Sequence, residues 1–359
     1  MKLAAGIVLP AAGLLAGAAL AQAPGSKPGA PAAPQAVTAI PLGDPARWDY
    51  LAVDPGTHRL YVAHRERVDV IDTRSNATVQ QLAPTPGVHG AAPAPELGRV
   101  FTSNGAENRV GVFDATTGKP IQAVGVGQGP DAIVYEPVTQ RVFSFNGKSG
   151  DVTAIDAKSL KVLAESIPAA GRPEFAVADG HGRVYFNVED KGEVAVLDAA
   201  ALKIERHYKL GPCEEPSGLA IDPRGRLYSV CQNGWMVVSD PARGQVLGQA
   251  PIGHGPDGVA WMDGRAFSAN GRDGTISVVA ETAEGRFETV ATLPTALGAR
   301  TIAADPGLHV LFTATADFRA PPAAASAGDG KPGRPEPVAG TFRVLALKDP
   351  GVAGPGGSK

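Results

Sequence analysis

Residues 99–119 read Arg-Val-Phe-Thr-Ser-Asn-Gly-Ala-Glu-Asn-Arg-Val-Gly-Val-Phe-Asp-Ala-Thr-Thr-Gly-Lys. A basic residue opens a short apolar strand, Asn-Gly supplies a turn, a second apolar strand ends at an aspartate, and Thr-Gly supplies another turn. The pattern recurs along the chain, and its closing aspartates follow one another at intervals of 42 positions: Asp72, Asp114, Asp156, Asp198 and Asp240. A period of about 40–50 residues filled with strand patterns predicts the blades of a β-propeller.

The strand after the basic residue is the most regular part of the repeat. It contains an aromatic residue in each of its seven copies, which begin at Arg59, Arg99, Arg141, Arg183, Arg226, Arg265 and His309. Each copy has one strand pattern upstream and two downstream, with small or polar residues alternating with large apolar ones. The sequence therefore predicts an all-β protein, a seven-bladed β-propeller of four-stranded antiparallel blades.

The last repeat lacks a pattern for its outermost strand. Its third strand, residues 341–347, runs directly into a Gly-rich tail. Residues 36–43, Ala-Val-Thr-Ala-Ile-Pro-Leu-Gly, fit the missing strand at the other end of the chain. We predict that this N-terminal strand completes the seventh blade and closes the ring, because closure removes an exposed sheet edge. The propeller is then expected over residues 36–349, with a flexible Pro-rich insertion at about 319–338.

The first residues have the pattern of a secretory signal peptide. Lys2 precedes an apolar run that extends to Leu20, and Ala21-Gln22-Ala23 has the small-x-small form of a cleavage site. A transmembrane anchor is the alternative, although Pro10 and several glycines interrupt the run. We expect cleavage of residues 1–23, a periplasmic or secreted mature protein, and no membrane span after cleavage.

Composition narrows the classes of partner. The chain has 45 glycines and 32 prolines among 359 residues, which fits many short strands joined by tight turns. Residues 24–35 form a Pro/Gly/Ala-rich linker and residues 350–359 a flexible tail. The formal net charge is −3 and no basic run occurs, so nucleic acid is not an expected partner. We expect a monomer that binds a protein, a peptide or a small molecule.

The repeat places a set of polar residues at one end of the predicted axial channel. In an up-and-down blade, residues that begin the inner strand and residues that follow the second strand surround the same mouth. Ligands of propellers commonly bind where such loops meet over a concave surface. We predict ligand contacts for ten residues of this rim: Arg47, Trp48, Asp49, Tyr50, His64, His89, Asp131, Glu174, Asp257 and Arg300.

Structural explanations compete with this prediction. Turn geometry accounts for asparagines such as Asn104, Asn146 and Asn270, and the Pro-Asp pairs at 130–131 and 256–257 can simply begin strands. The run from Arg47 to Tyr50, together with His89, departs from the small residues found at the matching positions of other blades.

Motifs for catalysis are not apparent. The sequence has no Gly-x-Ser-x-Gly, P-loop, Rossmann, His-x-x-His or Cys-x-x-Cys pattern, so we assign no catalytic residue and predict no cofactor. A divalent metal is an alternative, since His64 and His89 could converge with Asp49 or Asp131. The two cysteines, Cys213 and Cys231, are expected to form a disulfide in an exported protein, a buried free thiol being the alternative.

The Gly-x-Pro, Asp-Pro, Asn-Gly and Val-x-Val-Ile-Asp elements together resemble the YVTN-type (YncE-like) family of exported β-propeller repeats. The resemblance covers roughly residues 36–349, and it implies a fold more than a function, because such proteins are mostly described as binding or structural proteins. We therefore expect an exported, non-enzymatic binding or interaction protein that presents a polar axial rim. The alternative is an enzyme, or an accessory of a periplasmic redox or metal-linked system, that uses a rim cluster of His64, His89 and Asp49.

Overall fold

The computed structural model describes residues 37–44, 47–319 and 335–348. The signal peptide predicted at 1–23, the linker at 24–35, the tail at 350–359 and most of the predicted insertion lie outside these ranges.

Seven four-stranded antiparallel sheets follow one another along the chain as the blades of a propeller. The strands of blade 1 are β2 to β5, at Leu51–Asp54, Arg59–His64, Arg67–Asp72 and Ala77–Leu82. Those of blade 2 are β6 to β9, at Val88–Ala94, Arg99–Asn104, Arg109–Asp114 and Pro120–Gly125. Those of blade 3 are β10 to β13, at Pro130–Glu136, Arg141–Asn146, Asp151–Asp156 and Val162–Pro168.

Blades 4 to 6 repeat the same order from the axis outward. Blade 4 has β14 to β17, at Pro173–Ala178, Arg183–Val188, Glu193–Asp198 and Lys203–Lys209. Blade 5 has β18 to β21, at Pro216–Ile221, Leu227–Cys231, Trp235–Asp240 and Gln245–Pro251. Blade 6 has β22 to β25, at Pro256–Met262, Arg265–Asn270, Thr275–Ala283 and Arg286–Pro294.

Blade 7 joins both ends of the described chain. Its strands, from the axis outward, are β26 at Ile302–Asp305, β27 at Val310–Thr315, β30 at Phe342–Lys348 and the N-terminal β1 at Val37–Gly43. A two-stranded sheet of β28, Phe318–Arg319, and β29, Glu336–Pro337, precedes β30. Two short 3-10 helices lie at Pro95–Leu97 and Glu189–Lys191. The predicted seven-bladed fold and its closure by the N-terminal strand are confirmed.

The second strand of each blade supplies the core between neighbouring blades. Its aromatic side chain is fully buried in five blades, at Phe101, Phe143, Phe186, Phe267 and Phe312. Strand residues on both faces are buried because each sheet packs against two others, and a single blade has no way to cover both of its faces. The aromatic residue of the repeat therefore serves the stacking of blades.

The closing aspartate of the repeat caps a turn. The Asp114 carboxylate accepts hydrogen bonds from the backbone amides of Thr116 and Thr117 and from the Thr117 hydroxyl. These bonds hold the pKa of Asp114 below its usual value. Asp156 makes the same contacts with Lys158 and Ser159. The 42-residue spacing thus records a turn between the third and fourth strands.

The basic residue of the repeat ties neighbouring blades in two cases. The Arg99 guanidinium donates hydrogen bonds to the carbonyl oxygens of Ala157 and Lys158, one blade further on. Arg141 donates in the same way to the carbonyl oxygens of Ala199 and Ala200.

The asparagines that end the second strands have a different role from the predicted one. Asn104, Asn146 and Asn270 are buried, and each is the last residue of its strand rather than a turn residue. The Asn146 amide donates to Asp151 and Thr153 on the adjoining strand, 2.9 and 3.0 Å away. The role of these asparagine side chains is therefore internal hydrogen bonding. The positive φ angles of the turns that follow them occur at Asn108, Gly150 and Gly274.

The two cysteines form a disulfide at the start of blade 5. Cys213 precedes β18 and Cys231 ends β19, and their Cα atoms lie 5.3 Å apart. Both residues are buried. The bridge fixes the link from blade 4 into blade 5. No helix in the described part of the chain is long and apolar enough to cross a membrane.

Ring closure by β1 predicts a large effect of its removal. Ile40 of β1 is 5% exposed and packs in a cluster with Trp48, Phe312 and Phe342. We expect deletion of residues 24–45 to lower the thermal unfolding midpoint by about 10 °C or more, because it uncovers this cluster and the edge of β30. Deletion of residues 24–35 alone is the control and leaves the midpoint unchanged. Equal midpoints for both deletions would contradict closure by β1.

The disulfide predicts a second stability effect. The two cysteines are 18 positions apart, and cross-linking a loop of that size raises the free energy of unfolding by about 3 kcal/mol. We expect the double variant Cys213→Ala/Cys231→Ala to unfold at a midpoint about 5–10 °C lower than the oxidised protein. Thiol alkylation followed by mass spectrometry checks the premise. Two alkylatable thiols in the native protein before reduction would show that no bridge forms.

Candidate functional site

The first residues of the inner strands meet at one mouth of the axial channel. Six charged residues from six blades form what we call the mouth cluster: Asp49, His89, Asp131, Glu174, Asp257 and Arg300. Asp49 and Arg300 lie just before the inner strands of blades 1 and 7, and the other four are second residues of the inner strands of blades 2, 3, 4 and 6.

A repeated irregularity of the backbone positions four of these residues. In blades 2 to 6 the register between the first and second strands shifts directly after the first inner-strand residue, as between Pro130 and Ile133 or Pro173 and Ala176. Such bulges interrupt the ladder and re-aim a side chain. In blade 5 the residue at this position is Ser217, whose buried hydroxyl donates to the carbonyl oxygen of Pro256. Blade 5 therefore adds no charge to the mouth.

Four ion pairs connect the cluster across blades. His89 Nδ1 lies 2.6 Å from Asp49 Oδ2 and 3.4 Å from Asp131 Oδ1. Arg300 Nε donates to Asp257 Oδ2 over 2.8 Å, and Arg300 Nη2 lies 3.8 Å from Asp49 Oδ1. Asp49, His89 and Asp131 each offer one ligating atom, and these three atoms lie within 4.8 Å of one another. Of the residues that the structure describes, these three are the group best placed to hold a metal ion.

Tyr50 closes the mouth from below. Its hydroxyl donates to Glu174 Oε1 over 2.7 Å, which joins blade 1 to blade 4, and its ring meets Phe175 edge-on with 4.8 Å between centroids. Beyond Tyr50 lies an axial cavity of about 570 Å³, lined mainly by small apolar residues of the inner strands, such as Ala52, Ala132 and Ala176. Tyr50 therefore separates a polar mouth from an apolar channel.

Burial and mutual repulsion raise the pKa values of three mouth carboxyl groups. Burial, then the charge of Asp49, raises the pKa of Asp131 to about 7. Burial, then the charge of Asp131, raises the pKa of Glu174 to about 8. Burial raises the pKa of Asp257 to about 6, although Arg300 opposes the shift. Buried carboxylates in excess of nearby cations favour protons or another positive charge.

His89 carries the complementary charge. Burial opposes its protonation, but the hydrogen bond to Asp49 and the charge of Asp131 outweigh burial and raise the pKa of His89 to about 9. His89 is therefore an imidazolium at neutral pH. With Arg300 it gives the cluster two positive charges beside four carboxyl groups.

Trp48 and Arg47 differ in their relation to the mouth. Trp48 is 7% exposed and stacks on Phe342 with 5.1 Å between ring centroids. The Arg300 guanidinium lies 5.5 Å from the Trp48 ring and donates to the Trp48 carbonyl oxygen. The Trp48 ring thus supports Arg300, and a ligand contact of Trp48 stays a prediction. Arg47 is exposed and lines the mouth.

The structure does not place His64 in the mouth, which corrects the prediction. Its side chain is fully buried, its Nδ1 lies 2.6 Å from Asp69 Oδ2, and its ring packs 4.3 Å from that of Phe342. His64 ends β3, where it packs against blade 7. The predicted cluster of His64 with His89 and Asp49 is therefore not assembled: His89 and Asp49 come together, and His64 pairs with Asp69 instead.

Basic residues that sequence reasoning missed line the outer wall of the mouth. Two adjoining cavities of about 470 and 450 Å³ open above the cluster. Their exposed walls include Arg65, Lys148 and Arg172, and Arg172 pairs with Glu189. The mouth thus has a mainly acidic floor and partly basic walls. Lys148 follows the Asn-Gly of its blade and Arg172 directly precedes Pro173, positions that the repeat would have identified.

Comparison with solved structures supports the fold. A Kuenenia stuttgartiensis hydrazine synthase structure superposes with a TM-score of 0.63 at 16% identity, over 74% of this chain and 91% of that one. U3-55K gives a TM-score of 0.73 at 9% identity, over 88% and 100% of the two chains. The WD40 repeats of RRP9 give 0.72 at 11%, over 88% and 99%. At such identities the likeness concerns the fold alone.

Neither a family model nor a curated protein matches the chain. Membership of the YVTN-type family therefore stays a prediction.

The raised pKa values of these carboxyl groups predict how the free energy of unfolding depends on pH. The folded state keeps protons on Asp131, Glu174 and Asp257 that the unfolded state releases near pH 4, so these groups lower stability progressively as pH rises to about 8. His89, with a pKa of about 9 in the folded state, also contributes stability that is lost as pH rises through that value.

We expect Glu174→Gln to unfold at a higher midpoint than the wild type at pH 9, and to differ less at pH 4.5. The glutamine oxygen still accepts the Tyr50 hydrogen bond but carries no charge. Thermal unfolding followed by circular dichroism measures both midpoints, and Glu107→Gln, at an exposed turn, is the control. A wild type that is more stable than Glu174→Gln at pH 9 would contradict the electrostatic account of the mouth.

Proposed function

We propose that this chain is an exported, non-enzymatic binding protein that captures a positively charged group of its ligand at the mouth cluster. One observation carries the proposal: side chains from six of seven blades converge at the axis, and four of them are carboxyl groups beside only Arg300 and His89. Repeats selected for stacking alone have no reason to place charges together in a half-buried position.

The distribution of charge supports a ligand of a definite kind. The floor of the mouth is acidic and half-buried, whereas Arg47, Lys148 and Arg172 on its walls are exposed. A ligand with a positive group at its tip and negative groups around it matches the acidic floor and the basic residues of the walls. Cavities of about 470 and 450 Å³ suit a small molecule or the end of a peptide.

The fold and the cysteines support the remaining parts of the proposal. β-Propellers with comparable backbones occur in assemblies, among them a mitotic checkpoint complex that superposes with a TM-score of 0.67. A disulfide between Cys213 and Cys231 fits the oxidising compartment that the predicted signal peptide implies. The disulfide and the predicted signal peptide support a proposed location in the periplasm or outside the cell.

Titration calorimetry with two charged peptides tests capture of a positive group. The probes are Lys-Lys-Lys and Glu-Glu-Glu in low-salt buffer with EDTA. We expect the wild type to bind Lys-Lys-Lys, and the variant Glu174→Gln/Asp257→Asn to bind it at least about tenfold more weakly. The control Glu107→Gln/Glu284→Gln replaces two carboxyl groups at exposed positions and leaves the affinity unchanged. Equal affinities of both variants, or a preference for Glu-Glu-Glu, would contradict the proposal.

A further inference from the structure

Three possible metal-ligating atoms of the mouth cluster come from three consecutive blades and lie close to one another. His89 Nδ1 lies 2.6 Å from Asp49 Oδ2 and 3.4 Å from Asp131 Oδ1. This spacing differs from that of a surface acidic patch, because an imidazole nitrogen lies between two carboxylate oxygens from other strands.

The three donors are held in place by contacts outside the group. The carbonyl oxygen of Asp49 accepts a hydrogen bond from the Thr301 hydroxyl over 2.9 Å, and Arg300 flanks its carboxylate. The carbonyl oxygen of His89 accepts from the Tyr50 amide over 2.9 Å. Asp131 lies within the register shift between Pro130 and Ile133, which sets the direction of its side chain. Such support reduces the reorganisation that an incoming ion would require.

One of the three possible ligating atoms, Asp131 Oδ1, accepts no hydrogen bond from the described residues. Asp131 Oδ1 is shielded from solvent and has no hydrogen-bond partner within the described residues, although His89 Nδ1 faces it at 3.4 Å. Buried polar atoms are normally satisfied, and an unsatisfied carboxylate oxygen costs more than a neutral one. An ion bound between Asp131, His89 and Asp49 would supply the partner that this oxygen lacks.

The donor types favour a particular class of ion. Imidazole nitrogen with carboxylate oxygen is a set that suits divalent manganese, iron, cobalt or zinc, whereas magnesium and calcium prefer oxygen alone. Two carboxylates balance the charge of a divalent ion. His89 and Asp49 also line the cavity of about 470 Å³, so an ion has a route from solvent and room for water or a ligand atom beside it.

We infer that Asp49, His89 and Asp131 form a binding site for one divalent transition-metal ion at the mouth of the propeller. The inference rests on the proposed function and names the positive group as a metal ion. The ion takes the place of the proton that His89 Nδ1 shares with Asp49. Arg47, Arg65 and Lys148 on the wall are then placed to attract an anionic group that accompanies the ion.

Metal titration of the full mature chain tests the inference. After dialysis against EDTA and removal of the chelator, the protein is titrated with MnCl₂, ZnCl₂ and MgCl₂ in a calorimeter. We expect one site per chain for manganese and zinc, and binding of magnesium at least about tenfold weaker. Asp131→Asn and His89→Gln are each expected to weaken zinc binding by about 100-fold or more.

A matched control is available on the surface. His254 Nδ1 lies 3.2 Å from Asp273 Oδ2 in a largely exposed pair, which belongs to no group of three possible metal ligands among the described residues. We expect His254→Gln to bind zinc as tightly as the wild type. If Asp131→Asn or His89→Gln fails to fold, the visible absorption of the wild type loaded with CoCl₂ decides the question. Bands of nitrogen and oxygen coordination support the inference, and a spectrum of hexaaqua cobalt overturns it.

Two outcomes separate this inference from the proposed function. Absence of stoichiometric zinc or manganese binding, with Lys-Lys-Lys still bound in EDTA, overturns the metal site and leaves capture of a positive group standing. Absence of both overturns both. Equal zinc affinity of His89→Gln and His254→Gln also overturns the metal site, because the ion would then bind elsewhere.

Discussion

The antiparallel pairing of β1 with β30 is the interaction on which the rest of the structure depends. It joins Val37 to Leu347 and Ile40 to Val344, and it brings the start of the described chain beside its last blade. The mouth lies at the same seam. Arg300 of blade 7 donates to the carbonyl oxygen of Trp48, and Thr301 donates to that of Asp49. Without ring closure, Asp49 and Arg300 would have no fixed separation, and the mouth cluster would lose its geometry.

Most of the repeat serves the stacking of blades, and the proposed site is confined to positions that stacking does not use. The buried aromatic residue recurs in all seven blades, the turn-capping aspartate in blades 1 to 5, and the buried asparagine at the end of the second strand in blades 2, 3 and 6, and each serves the packing or the turns of its blade. The second residue of the inner strand, which lies in the bulge, is not needed for stacking, since it faces the axis at the end of the sheet. There the blades differ, with His89, Asp131, Glu174, Ser217 and Asp257 in succession. A regular scaffold can thus present an irregular set of side chains to one ligand.

Much of the fold could be predicted because the period, the turn chemistry and the missing outer strand are all local patterns. The site was predicted less completely. Asp49 and His89 depart from the repeat, Arg300 follows from its position at the predicted rim, and the structure brings the three together. His64 sits at a matching position of the repeat, but its side chain turns into the interface with blade 7, where Phe342 packs against it. That direction depends on a neighbour far along the chain, which no local pattern reveals. The raised pKa values of Asp131 and Glu174 likewise arise from burial and from charges on other blades.

The central proposal is that ring closure assembles a site for a divalent metal ion between Asp49, His89 and Asp131. Anomalous X-ray diffraction from crystals grown with manganese, recorded on both sides of the absorption edge, is its most direct test. We expect one strong anomalous peak per chain, within coordination distance of His89 Nδ1 and both carboxylates. A mouth without a peak, in crystals where manganese is bound at other surfaces of the protein, would contradict it.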